Sequence, residues 1–154
     1  MRLMFPGTFD PFTFGHADIV AKALGVADSV VVAIGVNDSK QPMFTVSERL
    51  EAIKEYYVDN PKVLVIEYQG LTFEAAKRCG ASCIVRGVRS CGDFEYERDM
   101  AIFNQGVGGI GTMLFISDPG FSYVSAGLAR QMISLGQPVD KFVIETFKNK
   151  TNKW

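Results

Sequence analysis

The sequence has a single histidine, His16, and only three cysteines, Cys79, Cys83 and Cys91, none spaced as Cys-x-x-Cys. A structural zinc site draws about four nitrogen and sulfur ligands at recurring spacings, so no metal-ligand set is read from these residues. A disulfide framework is equally poorly served by an odd cysteine count in a chain rich in core-forming residues. The thiols are expected to be free in a reducing compartment. No apolar run approaches the ~20 residues that cross a bilayer, and Met1–Phe5 meets Pro6-Gly7 before it could form the core of a signal peptide. The expected location is therefore the cytoplasm, with no membrane partner. Charge of one sign is lacking too: 16 Lys and Arg stand against 17 Asp and Glu, for a net charge of -1. That balance argues against a nucleic-acid-coating surface but leaves room for a local basic pocket.

Hydrophobic residues make up 47% of the 154 residues and charged residues 21%, which is the balance of a globular domain with a real core. There is no internal repeat, low-complexity segment or linker. Residues 1–154 read as one domain, with 139–154 as a C-terminal amphipathic helix and polar tail. Short apolar runs at Arg2–Phe5, Ser29–Gly35, Val63–Ile66, Ser82–Val85 and Thr112–Ile116 suit strands buried on both faces. Helical spacing fills the gaps: Gly15–Leu24, the segment opened by the capping box Thr45-Val46-Ser47-Glu48, Leu71–Cys79, Asp93–Asn104, Ser125–Leu135 and Val139–Phe147. Strands alternating with helices predict an α/β fold, a doubly wound parallel sheet of about five strands with helices on both faces.

Ligands of such sheets lie beyond the carboxyl ends of the strands, so the loops there carry the chemistry. The first runs from Pro6 to His16. Gly7 is read as permitting a sharp turn, and Gly15 as letting backbone approach a ligand. His16 falls in the first turn of a helix, where free N–H groups and the dipole favour an anion. Lys40 follows the most apolar strand. Arg86 and Arg89 flank Gly87-Val88 and suit bidentate phosphate clamping. Asp93–Arg98 is acidic and aromatic, and the run Asp118–Val124 leads to Ser125 as N-cap of a helix with Arg130 on its second turn. Each feature alone also fits an ordinary structural role. Together, anion-binding loops at one edge of a sheet in a slightly acidic chain point to a phosphate pocket.

These residues carry a family resemblance. Gly7-Thr8-Phe9-Asp10-Pro11 with Thr13-Phe14-Gly15-His16 resembles the T-x-G-H form of the H-x-G-H signature of nucleotidyltransferases. Ser39-Lys40-Gln41-Pro42-Met43-Phe44, Arg86-Gly87-Val88-Arg89 and Asp93-Phe94-Glu95-Tyr96-Glu97 resemble blocks of the bacterial phosphopantetheine adenylyltransferases, from the first strand to about Phe142. The resemblance implies a Rossmann-like fold and transfer of the adenylyl group of ATP to 4′-phosphopantetheine, giving dephospho-coenzyme A and pyrophosphate. It also implies Mg²⁺ held mainly by the ATP phosphates, a homohexamer, and coenzyme A as feedback inhibitor. By the same resemblance Thr8, Lys40, Thr72 and Arg86 contact the acceptor. Thr8, Phe9, His16, Gly87, Val88, Arg89, Glu97 and the loop Phe121-Ser122-Tyr123-Val124-Ser125-Ala126-Gly127 hold ATP. His16, Lys40 and Arg89 are the implied catalytic groups, acting by charge and position on an in-line attack that needs no general base.

The chain departs from the family pattern in three places. Val124-Ser125-Ala126-Gly127 stands where I-S-S-S is usual, Thr72 where a larger apolar residue is common, and Gln131 where Glu is frequent. Two other readings fit the same loops: a nucleotidyltransferase with a different acceptor, and a non-catalytic sensor of adenine nucleotide or coenzyme A.

Overall fold

The computed structural model describes residues 1–37 and 41–151. Five strands, β1 (Arg2–Gly7), β2 (Ser29–Gly35), β3 (Val63–Tyr68), β4 (Cys83–Val88) and β5 (Gly111–Ile116), form one sheet in the order β3-β2-β1-β4-β5. All four pairings are parallel. Between and after them lie α1 (Phe14–Leu24), α2 (Val46–Tyr56), α3 (Thr72–Arg78), α4 (Cys91–Gly108), α5 (Ala126–Ser134) and α6 (Glu145–Thr151). This is the doubly wound, Rossmann-like α/β sheet expected from the alternation of elements.

Alternate residues of the central strands feed two cores. Leu3, Phe5, Val30, Val32 and Ile34 face one side with Ile19, Val20, Ile53, Ile133 and Phe147. Met4, Val31, Ala33 and Ile84 face the other with Phe73, Ala75 and Ala76 of α3. Helix α4 comes close to α3 because Gly108 has no side chain: a Cβ there would lie 2.5 Å from Phe73.

Helix starts follow local chemistry. Thr13 caps α1 with His16 as the reciprocal partner, and Thr45 caps α2 with Glu48. Ser90 and Ser125 cap α4 and α5 through single hydrogen bonds. Helix α4 is longer than its spacing suggests, running to Gly109, whose φ of 64° ends it.

Three expectations are corrected. First, β1 does not stop before Pro6-Gly7; both residues pair with β2, opposite Ala33 and Ile34. Pairing of β1 with β4 covers only Leu3 and Met4, so the sheet parts between these strands near their carboxyl ends. Second, β4 runs through Val88, because Arg86, Gly87 and Val88 pair with Leu114, Phe115 and Ile116. Arg86 is therefore the side chain of a strand, not of a loop. Third, residues 139–144 are not helical. The Phe142 carbonyl accepts from the Phe14 N–H at 3.0 Å and Val143 bridges Thr13. The apolar spacing of Val139, Val143 and Ile144 reflects burial beneath the start of α1, and the helix begins only at Glu145.

Candidate active site

The strand order changes direction between β1 and β4, the place where open α/β sheets bind ligands. Two cavities open there. One, of about 390 Å³, lies among the β1–α1 loop, the end of β4 and the start of α5. The other, of about 700 Å³, lies over the ends of β1, β2 and β3 and against α4. They share a wall of Pro6, Gly7, Thr8, Arg86 and Glu97.

His16 lines the smaller cavity. Its Nδ1 accepts the Thr13 N–H at 3.0 Å, which in the neutral ring puts the proton on Nε2. The ring is wedged among Phe5, Phe9 and Phe12, with centroids 6.1, 5.1 and 5.3 Å away. Burial, helped by the positive charges of Arg86 and Arg89, lowers its pKa to about 3. Near neutral pH His16 is thus an uncharged N–H donor, fixed by its cap hydrogen bond.

Arg86 stands in the shared wall. Its Nε and Nη2 each donate to the Glu97 carboxylate at 2.7 Å, and Nη1 donates to the Pro6 carbonyl at 2.6 Å. Burial works against its charge, but the bonded Glu97 outweighs it and raises the pKa above the ordinary arginine value. Glu97 is therefore placed first of all as the partner of Arg86. Arg89 bonds Asp93 through its backbone N–H, Nε and Nη2, and gives Nη1 to the Val124 carbonyl at 3.2 Å. Partial burial alone would raise the Asp93 pKa; these Arg89 hydrogen bonds and charge bring it below the usual carboxylate range. The Arg89–Val124 bond ties the end of β4 to the entry of α5.

The loop after β1 is held from several sides. Phe9 has φ of 51°, uncommon for a residue with a side chain, and its ring covers Gly7 so closely that a Cβ there would lie 2.7 Å from it. Gly7 is therefore required by packing, not by a sharp turn. Gly87 has the same role toward Ile19, at 2.9 Å. Asp10 is buried, and its carboxylate accepts the N–H groups of Met43 and Phe44 at 2.9 and 2.8 Å. Arg49, also buried, donates to the carbonyls of Thr8, Phe44 and Thr45. Burial lowers its pKa and the nearby Asp10 charge opposes that shift. Asp10 and Arg49 together lock the Thr8 loop to the segment entering α2. Neither was singled out from the sequence. An Asp-Pro inside the glycine-rich loop was a usable signal for Asp10, whereas Arg49 reads as one more charged residue of an amphipathic helix.

The structure brings most of the implied site residues together. Thr8, Phe9, His16, Gly87, Arg89, Glu97, Val124, Ser125, Ala126 and Gly127 line the smaller cavity, and Thr8, Thr72, Arg86 and Glu97 line the larger. Val88 is buried and lines neither. Phe121, Ser122 and Tyr123 also lie outside both linings; Tyr123 is exposed and packs edge-on against Phe142. Lys40 lies outside the described residues. The larger cavity adds Tyr68, whose hydroxyl is 3.1 Å from that of Thr72, and the buried Asn104.

A parallel sheet parted at its switch point, a glycine-rich loop entering a helix, and an arginine in the wall between two cavities define an α/β protein with its candidate site at the carboxyl ends of the strands. Residues 4–132 match the cytidylyltransferase-like family. The crystal structure of the lipopolysaccharide core biosynthesis protein from Thermoplasma volcanium GSS1 has the same fold, with a TM-score of 0.55 at 21% identity over 77% of this chain and 96% of that one. The phosphopantetheine adenylyltransferase of Porphyromonas gingivalis is 44% identical over 144 residues, 94% of each chain. That of Phocaeicola vulgatus is 40% identical over 96% of this chain and 97% of its own, and that of Bacteroides thetaiotaomicron 38% over 94% and 95%. The chain belongs to the phosphopantetheine adenylyltransferase family.

Proposed function

We propose that this protein transfers the adenylyl group of ATP to 4′-phosphopantetheine, releasing pyrophosphate and forming dephospho-coenzyme A. The observation that carries the reading is the pair of cavities meeting at Thr8 and Arg86. A triphosphate in the smaller and a phosphorylated arm in the larger bring the α-phosphorus and the attacking phosphate oxygen to one wall. That oxygen forms a bond to the α-phosphorus, the bond to the bridging β-oxygen breaks, and its electron pair leaves with pyrophosphate. The attacking phosphate is already an anion, so position and charge do the work.

His16 donates Nε2–H to an α-phosphate oxygen without adding a charge that would have to be desolvated. Arg86 presents its two remaining N–H groups to the acceptor phosphate while Glu97 and Pro6 hold its plane. Arg89 steadies the α5 entry, whose first N–H groups face the nucleotide. Lys40 serves the acceptor phosphate and the α-phosphate, as the family resemblance implies. Glu97, Asp93 and Asp10 are all engaged by guanidinium or amide groups. Mg²⁺ would therefore be held by the triphosphate oxygens, where it would supply positive charge to the departing pyrophosphate.

Coenzyme A carries the same arm as the acceptor and would compete for the larger cavity, giving feedback inhibition. The exposed Phe94, Tyr96, Ile102, Phe103 and Val107 of α4 support self-association, for which the proposed state is a homohexamer. No helix among the described residues is long and apolar enough to cross a membrane, and the proposed setting is the cytoplasm, with no nucleic-acid partner.

Pyrophosphate release on mixing 4′-phosphopantetheine with MgATP, with the product weighed by mass spectrometry, tests the reading. Dephospho-coenzyme A should appear with ATP and not with CTP. Turnover only with another acceptor or nucleotide would assign a different transferase, and binding without turnover would assign a sensor.

A further inference from the structure

The end of β5 is held by a helix far from it in sequence. Strand β5 lies at an edge of the sheet, and the residues on either side of Ser117 are both gripped by α1. Lys22 Nζ donates to the Ile116 carbonyl at 2.8 Å, and Asp18 Oδ2 accepts the Asp118 N–H at 3.0 Å. Lys22 Nζ also donates to that same Oδ2, at 2.7 Å. An i,i+4 ion pair on a solvated helix face would add little. This one differs, because the Asp18 side chain is only 13% exposed and the two bonds to β5 and the following loop span 94 and 100 residues of chain.

Two further features connect the pair to the site. Ser117, between the gripped residues, is buried and lines the smaller cavity but not the larger. Helix α1 presents His16 to the same cavity from its first turn, and Ile19, next to Asp18, packs so tightly on Gly87 that a Cβ there would lie 2.9 Å from it. One helix therefore sets His16, the end of β4 and Ser117 at fixed spacing. Neither Asp18 nor Lys22 lines either cavity. We infer that Asp18 is a positioning residue for the nucleotide side of the site: with Lys22 it staples both flanks of Ser117 to the helix that carries His16, and so sets the width of the smaller cavity. The inference rests on the reading that the nucleotide occupies that cavity, and adds to it a residue that touches no substrate.

Calorimetric titration of the full chain, Asp18→Ala and Asp18→Asn with α,β-methylene ATP and with 4′-phosphopantetheine tests it, together with amide hydrogen exchange followed by NMR. Asp18→Ala removes the acceptor of the Asp118 N–H, whose exchange should quicken. It should weaken the ATP analogue about 5- to 20-fold, part of the worth of a hydrogen bond to a charged group, and leave 4′-phosphopantetheine within about twofold. Asp18→Asn keeps an oxygen for that N–H and should recover most of the analogue affinity and of the protection. If Asp18→Ala does not fold, Lys22→Met carries the test: it frees the Ile116 carbonyl and leaves Asp18 on Asp118, so the analogue alone should weaken, and unchanged affinity would count against the inference. Equal losses for the two ligands, no loss for the analogue, or an unchanged Asp118 exchange rate would overturn the staple while leaving adenylyl transfer standing. A parent protein that does not bind the analogue would overturn both.

Discussion

The two cavities that meet at Thr8 and Arg86 are built from different materials. The smaller one gathers Arg86, Arg89, Arg130, Asp93 and Glu97 around His16. Apart from the shared Arg86–Glu97 pair, the larger one is lined by neutral groups such as Tyr68, Thr72, Met100, Ala101 and Asn104, and the Thr112 hydroxyl is buried there without a hydrogen-bond partner. A polyanion suits the first and a neutral amide arm the second. In the proposed reaction this contrast separates two tasks: fixed charge on one side and at the wall serves the transfer, and neutral polar groups and shape on the other side select the acceptor.

Substitutions can break this contrast to different degrees. The largest effect is expected for His16→Ala, which removes the neutral donor of the smaller cavity. Turnover should fall about 10²- to 10³-fold in steady-state pyrophosphate release, with both KM values changing far less. Next is Glu97→Gln, which leaves Arg86 without its counter-charge. Unfolding in urea should show a loss of about 3 kcal/mol, and because Arg86 belongs to both cavities, the KM of each substrate should rise. Arg49→Met deprives three carbonyls of their donor and should cost about 2 kcal/mol in the same urea experiment. The smallest effect is expected for Tyr68→Phe, which touches the larger cavity alone. Its KM for 4′-phosphopantetheine should rise by about fivefold or less, the size of one neutral hydrogen bond, while that for ATP stays unchanged. An equal change in both would erase the distinction between the cavities.

Much of the fold was legible because buried parallel strands and capped helices leave local marks. The β-branched run Ser29–Gly35 and the Thr45–Glu48 capping box appear where their patterns put them. What misled was local pattern overridden by tertiary pairing. Pro6-Gly7 looks like a strand end but sits in β1, since an edge facing an opening needs no N–H from proline. Val139–Ile144 has helical spacing but spends backbone hydrogen bonds on α1.

The site was legible in its residues and much less in their pairing. His16, Arg86 and Arg89 stood out at loop positions. That Glu97 grips Arg86 from eleven residues away, that Arg49 reaches Thr8 across 41 residues, and that Arg130 reaches Asp10 across 120, are consequences of the folded topology. No spacing rule encodes such contacts.

In the proposed reaction, charge at the wall is pre-paired and the donor facing the α-phosphate is an uncharged imidazole. Since His16 is the only histidine, its ring can be followed by ¹⁵N NMR without assignment ambiguity. The folded pKa lies below the unfolded value near 6.5. The imidazole therefore contributes stability that is fully present above pH 6.5 and is lost as the pH falls toward about 3. In the folded protein the ring should stay in the neutral Nε2–H form from pH 8 down to about 4, with protonation appearing only near pH 3 or with acid unfolding. A ring that titrates with a midpoint near 6.5, or that carries its proton on Nδ1, would contradict the claim.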